Sequence, residues 1–401
     1  MTEFILFSFF IWRSSLFIIA HIGSLITPFV PRFPYSELFL TNSSLPSFIW
    51  SFANFDGVHY MTIAKYGYVA QFTQVFFPLF PLILGLFSKL QPFINPIVIG
   101  MILNGIFFLG AVFFFAELLK FDYKSGQIKW IILFLLSFPT SYFFGSLYTE
   151  SLFLLLTIAS FYYARKGNFI MTGILGGLSS ATKLTGIFVL PALWWEWSQN
   201  KELRIKNKEL RKLKDSKSKL INKILFIIHN SRFLLQSPVT YIVPLGLVLY
   251  MLYLQIYYGD FLYFWHAQPV FGAERSGGNI ILLPQVFWRY FKILTTVNFG
   301  SVAFWIPLLE LCSTVFGIVL LIVAHIKKIR ISYLIFSWFI LLVPTLTGTL
   351  SSMPRYILTV FPIYIVLGII KSRLIKCLLF TVYYLLLTVL TILFTRGHWV
   401  S

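Results

Sequence analysis

Long apolar runs separated by short loops constrain this chain more than any other feature. Of its 401 residues, 58% are hydrophobic and 11% are charged, whereas a soluble domain carries about 25% charged residues. Too few polar side chains remain to cover a surface that faces water, so the main solvent must be lipid. The first run, 4–30, is too long for a signal-peptide core of about 7–15 residues, and no small-residue cleavage site follows it. We interpret it as the first transmembrane helix.

The net charge of +19 would suggest a nucleic-acid partner if the protein were soluble. Here the basic residues are concentrated in short loops between apolar runs, a pattern typical of the cytoplasmic side of membrane proteins. The basic clusters are Lys120, Lys124 and Lys129; Arg165 and Lys166; the loop 199–223; Lys327, Lys328 and Arg330; and Lys371, Arg373 and Lys376. We therefore expect all of them to be cytoplasmic and expect no nucleic-acid partner.

If every basic cluster is cytoplasmic, two segments cannot be assigned as single membrane spans from their hydropathy alone. Segment 76–90 contains two prolines and is short for a span, so we predict a re-entrant or interfacial helix. Segment 173–195 must cross twice, with a break at 182–186 that would put Lys183 on the outer face. Such breaks are tolerated where the backbone lines a cavity.

The resulting prediction is one integral-membrane domain, 1–401, with an all-α polytopic fold. It has about eleven transmembrane helices, a cytoplasmic N-terminus and a juxtamembrane helix in its first outer loop. The outer-face segments are 31–95, about 139–150, about 181–187, 259–300, 350–356 and 396–401. Most of the unusual polar residues fall in these segments, as an active site on that face would require.

The segment 55–68 contains the main catalytic candidate, Asp56. On a helix that ends at Gly67, Asp56 shares one face with His59 and Tyr60 at spacings i, i+3 and i+4. One interpretation makes Asp56 the N-cap, and Gly67 the stop, of a helix lying flat on the membrane. The other makes Asp56 a general base that deprotonates an attacking hydroxyl. The two interpretations are compatible.

Three further ionisable residues lie where charge is costly. Glu150, at the outer end of a span, either reaches the interface or is a functional acid. Lys183 could bind a phosphate or pair with a nearby acid. Arg355, which precedes Tyr356, could anchor a helix or grip phosphate oxygens with its planar fork.

The loop that contains Gln268 and Arg275 combines aromatic, amide and charged groups, which suits sugars and also an ordinary interfacial loop. No Walker or dinucleotide pattern occurs, and no His/Cys cluster has zinc spacing. We expect no required cofactor, although Asp56 and Glu150 could share a Mn²⁺ or Mg²⁺ ion.

In four places the chain resembles the PIG-V-like mannosyltransferases, the family of the second mannosyltransferase of GPI-anchor assembly, which also has prokaryotic relatives. These places are 55–68 (FDGVHY at its start) with 76–81; 139–141 with 148–152; Gly259-Asp260 with Phe264, Gln268 and Arg275; and 397–400. They follow one another in order along nearly the whole chain. Phe55 stands where the family commonly has Trp.

The resemblance implies a fold of the GT-C superfamily, whose members take a sugar from a polyprenyl phosphate on the outer or luminal face. It implies that the acid in the first outer loop, here Asp56, serves as base. A second acid and a Lys-Gly pair recur in GT-C proteins, and Glu150 and Lys183 would correspond to them, although two residues separate Lys183 from Gly186.

The expected reaction is one inverting displacement, in which an acceptor hydroxyl attacks the anomeric carbon of a polyprenyl-phosphate hexose, mannose first of all. Lys183, Arg355 or Arg275 would hold the leaving phosphate. The predicted substrate-binding residues are His59, Tyr60, Glu150, Lys183, Gln268, Arg275, Arg355 and Tyr356. The acceptor would be lipid-linked or a glycan, and the membrane would be the plasma membrane in a prokaryote or the endoplasmic reticulum in a eukaryote. The alternative function is a flippase or transporter of polyprenyl-linked glycolipid.

Overall fold

The computed structural model describes residues 1–31, 35–199, 237–271, 275–276 and 278–400, which form helices and connecting segments without a β-strand. The longer helices are α1 (Thr2–Ile26), α2 (Asp56–Tyr66), α3 (Leu79–Leu90), α4 (Pro96–Leu119), α5 (Ser125–Ser137), α6 (Glu150–Arg165), α7 (Phe169–Thr182), α8 (Val189–Gln199), α9 (Pro238–Tyr258), α10 (Leu283–Thr296), α11 (Val302–Ile326), α12 (Ile331–Leu342), α13 (Pro362–Gly368) and α14 (Arg373–Thr395). Single-turn α-helices lie at Ser36–Phe39, Ser47–Trp50, Tyr263–His266 and Met353–Tyr356. The predicted all-α fold is confirmed for the described residues, and the basic loop 199–223 lies almost wholly outside them.

Within the part of the chain that the structure describes, five helices are long and apolar enough to cross a membrane: α1, α4, α9, α11 and α14. At 1.5 Å per residue they are about 32–38 Å long, enough for a hydrocarbon core of about 30 Å. Helices α3, α5, α7 and α12 are also apolar but shorter. These lengths fit a multi-pass membrane protein, while the number of eleven spans and the face of each loop stay predictions.

The helix break predicted at 182–186 is present. Helix α7 ends at Thr182, Lys183 is extended with φ −159° and ψ 142°, and a 3₁₀ turn at Leu184–Phe188 leads into α8. The tight reversal requires Gly186, because a Cβ there would lie 2.2 Å from the carbonyl oxygen of Ser179. Lys183 therefore lies at a break between two helices instead of in the middle of one.

Helix α7 packs closely on α9 through small residues. A Cβ on Gly177 would lie 2.7 Å from the carbonyl oxygen of Ile242, and one on Gly246 would lie 2.0 Å from that of Gly177. The Ser180 hydroxyl also contacts the carbonyl oxygen of Val243 at 2.7 Å. Such close backbone approach is the usual way in which membrane helices associate without a hydrophobic driving force.

The connection between α5 and α6, residues 138–149, is buried inside the bundle. Tyr148 and its neighbours are inaccessible, and hydrogen bonds fix the segment to distant parts of the chain. The Asn104 amide donates to the carbonyl oxygen of Tyr148 at 3.0 Å, the Tyr148 hydroxyl donates to that of Asn54 at 2.9 Å, and Thr140 donates to that of Pro354 at 2.8 Å. These bonds hold the start of α6 against two other segments: the one that precedes α2, and the one that contains Arg355.

Candidate active site

A cavity of about 830 Å³ lies among the helices, within the range of about 300–1,000 Å³ that is usual for small-molecule sites. All six segments that loop charge assigned to one face contribute residues to its wall. Examples from the six segments, in chain order, are Asp56, Glu150, Lys183, Gln268, Arg355 and Trp399. Of the polar residues that were predicted to share a side of the membrane, Asp56, Glu150, Lys183, Arg275, Arg355 and His398 line this cavity, and Asp260 does not.

Two acids and two cations meet on the cavity wall, and we call Asp56, Glu150, Lys183 and Arg355 the ionic cluster. The Arg355 guanidinium donates from Nη1 to Asp56 Oδ2, and its Nε lies 3.6 Å from Glu150 Oε1. The Lys183 ammonium donates to the same Oε1 atom at 3.1 Å. Their side chains are between 1% and 16% exposed. Because the formal charges cancel, the four groups can lie together in a poorly solvated place.

Asp56 opens helix α2 but does not cap it. The N-cap is Phe55, whose φ of 58° is uncommon for an aromatic residue, and no side chain caps the helix. The prediction that Asp56 is the N-cap is therefore wrong, because its carboxylate turns to Arg355 instead. The predicted stop is confirmed, since the helix ends at Tyr66 and Gly67 follows with φ 76°. Trp399 packs on the Phe55 ring at a centroid distance of 5.0 Å.

The other members of the ionic cluster also occupy special backbone positions. Glu150 is the first residue of α6, where the helix dipole favours a negative charge. Lys183 is the extended residue after α7, and its ammonium lies 4.7 Å from the centroid of the Tyr356 ring. The Arg355 guanidinium lies 5.5 Å from the ring of Tyr148, so aromatic faces support both cations. Lys183 thus takes the predicted option of pairing with an acid, and a contact with phosphate stays a prediction.

Four buried polar atoms, two in the ionic cluster and two in residues next to its members or nearby on the cavity wall, have no hydrogen-bond partner among the residues that the structure describes. They are Glu150 Oε2, Thr185 Oγ1, Ser352 Oγ and Arg355 Nε, and all four residues line the cavity. Buried polar atoms are nearly always paired, and an unpaired one costs about 1–3 kcal/mol. The cluster therefore has hydrogen-bonding capacity that its own side chains do not use.

The remaining predicted substrate residues divide into two groups. Tyr60, Gln268, Arg275 and Tyr356 line the cavity, and the Arg275 guanidinium donates to the Gln268 amide oxygen at 3.2 Å. His59 does not line it; its ring lies 4.8 Å from that of Phe76. Burial lowers the pKa of His59, against the opposing effect of Asp56. His59 is thus better placed to support helix α2 than to touch a ligand.

Sequence reasoning missed a second polar group on the cavity wall. The Tyr290 hydroxyl donates to Glu310 Oε2, receives the backbone N–H of Leu350 at 3.0 Å and contacts Thr349 Oγ1 at 3.1 Å. Arg289 lines the cavity beside them. A signal was available, since Glu310 is the one acid in the apolar stretch 303–326, and an ionisable residue inside a span is a functional candidate.

Asp56 and Glu150, which were expected to be able to share a divalent cation, lie on either side of the Arg355 guanidinium. Within the described part of the chain, no three His, Cys, Asp or Glu side chains are grouped as metal ligands. A cation bound by the two acids would have to displace the guanidinium.

A family model described as Mannosyltransferase (PIG-V) matches residues 3–260, nearly two thirds of the chain. No curated protein and no solved structure matches the chain. The matched part includes Asp56, Glu150 and Lys183, whereas Glu310 and Arg355 lie beyond it.

Proposed function

The chain belongs to the PIG-V mannosyltransferase family, and we propose that it transfers a hexose, most directly mannose, from a polyprenyl-phosphate donor to a lipid-linked or glycan acceptor. Family membership supports a glycosyltransferase that takes a sugar donor and an acceptor. The meeting of Asp56, Glu150, Lys183 and Arg355 at one cavity is the observation that carries the proposal. The proposed site faces the outside of the cell or the lumen of the endoplasmic reticulum.

The proposed reaction is a single displacement with inversion at the anomeric carbon. Asp56 accepts the proton of an acceptor hydroxyl, and the hydroxyl oxygen forms a bond to the anomeric carbon of the donor. The bond from that carbon to the phosphate oxygen breaks, and its electron pair leaves with the polyprenyl phosphate. Negative charge therefore develops on the phosphate, where fixed cations stabilise the transition state most.

Arg355 and Lys183 are the cations proposed to hold the phosphate. Arg355 presents a planar fork that matches two phosphate oxygens, and Lys183 supplies a compact charge. Both cations are held in place by acids on the cavity wall, and the charges of the four groups cancel. Arg275 is the remaining candidate, since it lines the same cavity.

The ion pair between Arg355 and Asp56 implies that the donor binds before Asp56 can act as a base. The Arg355 guanidinium occupies Asp56 Oδ2, so that oxygen cannot accept a proton from an acceptor while the contact lasts. A donor phosphate competes for Arg355, while Glu150, 3.6 Å from Nε, keeps that side chain in the site. We propose that donor binding draws Arg355 away and thereby frees Asp56 to accept the proton of the acceptor.

The proposed displacement needs no metal, because Arg355 and Lys183 supply the positive charge. A Mn²⁺ or Mg²⁺ ion shared by Asp56 and Glu150 is the competing arrangement of the same groups. Transfer measured after treatment with EDTA, and again after each ion is added back, distinguishes the two. Full activity in EDTA is expected. If either ion is required, the metal ion and not Arg355 would balance the charge of the leaving phosphate.

The alternative function, a flippase or transporter of polyprenyl-linked glycolipid, also suits an acid-lined cavity, although the family match favours transfer. Purified protein can be incubated with labelled polyprenyl-phosphate mannose and native lipid extract. A transferase releases free polyprenyl phosphate in proportion to the hexose that it moves, whereas a transporter releases none. The absence of any released polyprenyl phosphate would contradict the proposal.

The role of Asp56 is tested by Asp56→Asn, which removes the base and keeps the side-chain shape. We expect transfer to fall by at least about 10²-fold at equal amounts of folded protein. The matched control is Asp122→Asn, because Asp122 also pairs with an arginine, Arg165, at 2.7 Å, and does not line the cavity. Activity of Asp56→Asn within a few-fold of this control would remove Asp56 from the role of base.

A further inference from the structure

We propose that Glu310, oriented by Tyr290, binds hydroxyl groups of the acceptor sugar and so forms the acceptor subsite of the cavity. This inference rests on the proposed glycosyl transfer. It assigns a ligand to a polar group that the catalytic scheme does not use. The class of ligand is a neutral polyhydroxylated ring.

The position of Glu310 is the first argument. Its side chain is buried, 5% exposed, in the first half of α11, and it lines the cavity together with Ile306 and Pro307 of the same helix. An acid in an apolar span is costly and is usually retained for a function. If Glu310 only formed a structural hydrogen bond with Tyr290, its burial would be explained, but its position on the cavity wall would not.

The hydrogen bonds of Tyr290 are the second argument. Its oxygen receives the N–H of Leu350, and its single hydrogen goes to Glu310, so the contact with Thr349 must be donated by the threonine. The phenol is therefore fixed as a donor to the carboxylate. The backbone N–H of Ser352 lies near the same carboxylate. The phenol takes one of about four acceptor positions of the carboxylate, so positions remain for other hydroxyl groups.

The third argument is the distance along the chain to the reacting groups. Ser352, which lies near Glu310, precedes the single-turn helix Met353–Tyr356 that carries Arg355. Arg355 in turn contacts Asp56. A ring bound at Glu310 is thus separated from the proposed base by one helical turn and one ion pair, a suitable place for the sugar whose hydroxyl attacks.

The surroundings of Glu310 also suit a sugar. Arg275 lies close enough to act electrostatically on the Glu310 carboxylate, and it is bonded to Gln268. Trp265 contributes an aromatic surface to the same cavity. Carboxylate, amide and guanidinium groups bond to hydroxyls, and an indole offers an apolar surface to the C–H face of a ring.

The test uses dodecyl α-mannoside as a defined acceptor probe, with the protein in a detergent that carries no sugar. Glu310→Gln should raise the apparent acceptor KM at least tenfold and leave the donor KM within twofold of wild type. Tyr290→Phe, which keeps the acid and the ring, should raise the acceptor KM in the same direction. Glu117→Gln, an exposed acid of α4, is the control and should change neither constant.

A binding measurement separates this inference from the proposed reaction. The mannoside should raise the melting temperature of wild-type protein and of Glu117→Gln, and raise that of Tyr290→Phe less at the same concentration. If wild type transfers no sugar but Tyr290→Phe still weakens mannoside binding, the proposed function fails and the subsite stands. If Tyr290→Phe and Glu310→Gln leave acceptor KM and mannoside binding unchanged, the subsite is refuted. Equal rises in the KM of donor and acceptor would also refute it.

Discussion

Glu150→Gln should destabilise the protein strongly, because Glu150 is the acid that both cations of the ionic cluster approach. Its side chain is 1% exposed, with Lys183 Nζ at 3.1 Å and Arg355 Nε at 3.6 Å from Oε1. At an effective dielectric constant of about 20, each attraction amounts to about 5 kcal/mol before desolvation is subtracted. Removing one partner of a buried pair leaves the other charge uncompensated, and the net cost is about 3–5 kcal/mol.

A second substitution tests whether that cost comes from the unpaired cation. Lys183→Met removes the ammonium and keeps much of the apolar stem, so the double variant Glu150→Gln/Lys183→Met should recover about 1–3 kcal/mol relative to additivity. Recovery is partial, because Arg355 also loses Glu150. Glu117→Gln is the matched control: its pair with Lys120 is 45–48% exposed, and an exposed pair contributes about 0–1 kcal/mol.

The free energies of unfolding can be measured for the four members of this cycle and the control by SDS titration in mixed micelles. Wild type and Glu117→Gln are expected to be the most stable, and the double variant is expected to lose about 1–3 kcal/mol less than the sum of the two single losses. If Glu150→Gln costs no more than the control, or if the two changes in the cycle are additive within about 0.5 kcal/mol, the buried pair does not exist as described.

Three other measurements address the site and its topology. Arg355→Lys should raise the apparent donor KM about tenfold, equivalent to about 1.4 kcal/mol, and should change the acceptor KM little. If it instead lowers the yield of folded protein and leaves the donor KM unchanged, Arg355 stabilises the fold and does not bind the phosphate. Burial holds the pKa of His59 below its ordinary value of 6.5, so the unfolded chain takes up the proton first and the free energy of unfolding should fall as pH drops below about 6.5. His59→Gln should therefore lose less stability than wild type between about pH 7 and 5. Equal losses in the two proteins would show that His59 is not buried in its neutral form. With the native cysteines replaced, Leu184→Cys should react with an impermeant thiol reagent added outside intact cells and Lys327→Cys should not, whereas the reverse pattern would invert the proposed topology.

Loop charge predicted that the segments carrying Asp56, Glu150, Lys183 and Arg355 end on one face of the membrane, and these four residues line one cavity. The face of each loop stays a prediction. The same reasoning located the break at Lys183, which hydropathy would have placed inside a helix. Periodicity shows which residues share a face of one helix, but it does not show which helices meet. The pairing of Arg355 with Asp56 therefore could not be predicted.

Two errors have a common physical cause. An acid at the start of a helical pattern is the local signature of an N-cap, but a tertiary ion pair competed for Asp56 and prevailed. Glu310 was overlooked because a single acid changes the hydropathy of a long apolar run very little. Its significance depends on Tyr290, twenty positions earlier in the chain, and local pattern reasoning does not join residues in separate helices.

The contact between Asp56 and Arg355 has a consequence for biosynthesis, because it joins residues 299 positions apart. At about 5–20 residues per second, a ribosome needs about 15–60 s to travel that distance. During this interval the nascent polypeptide carries a carboxylate whose final partner has not been translated. Premature termination before codon 355 would thus yield fragments that cannot complete the ionic cluster, and quality-control proteases would meet them with Asp56 still unpaired. Glycosyl transfer would begin only after the later helices have been inserted.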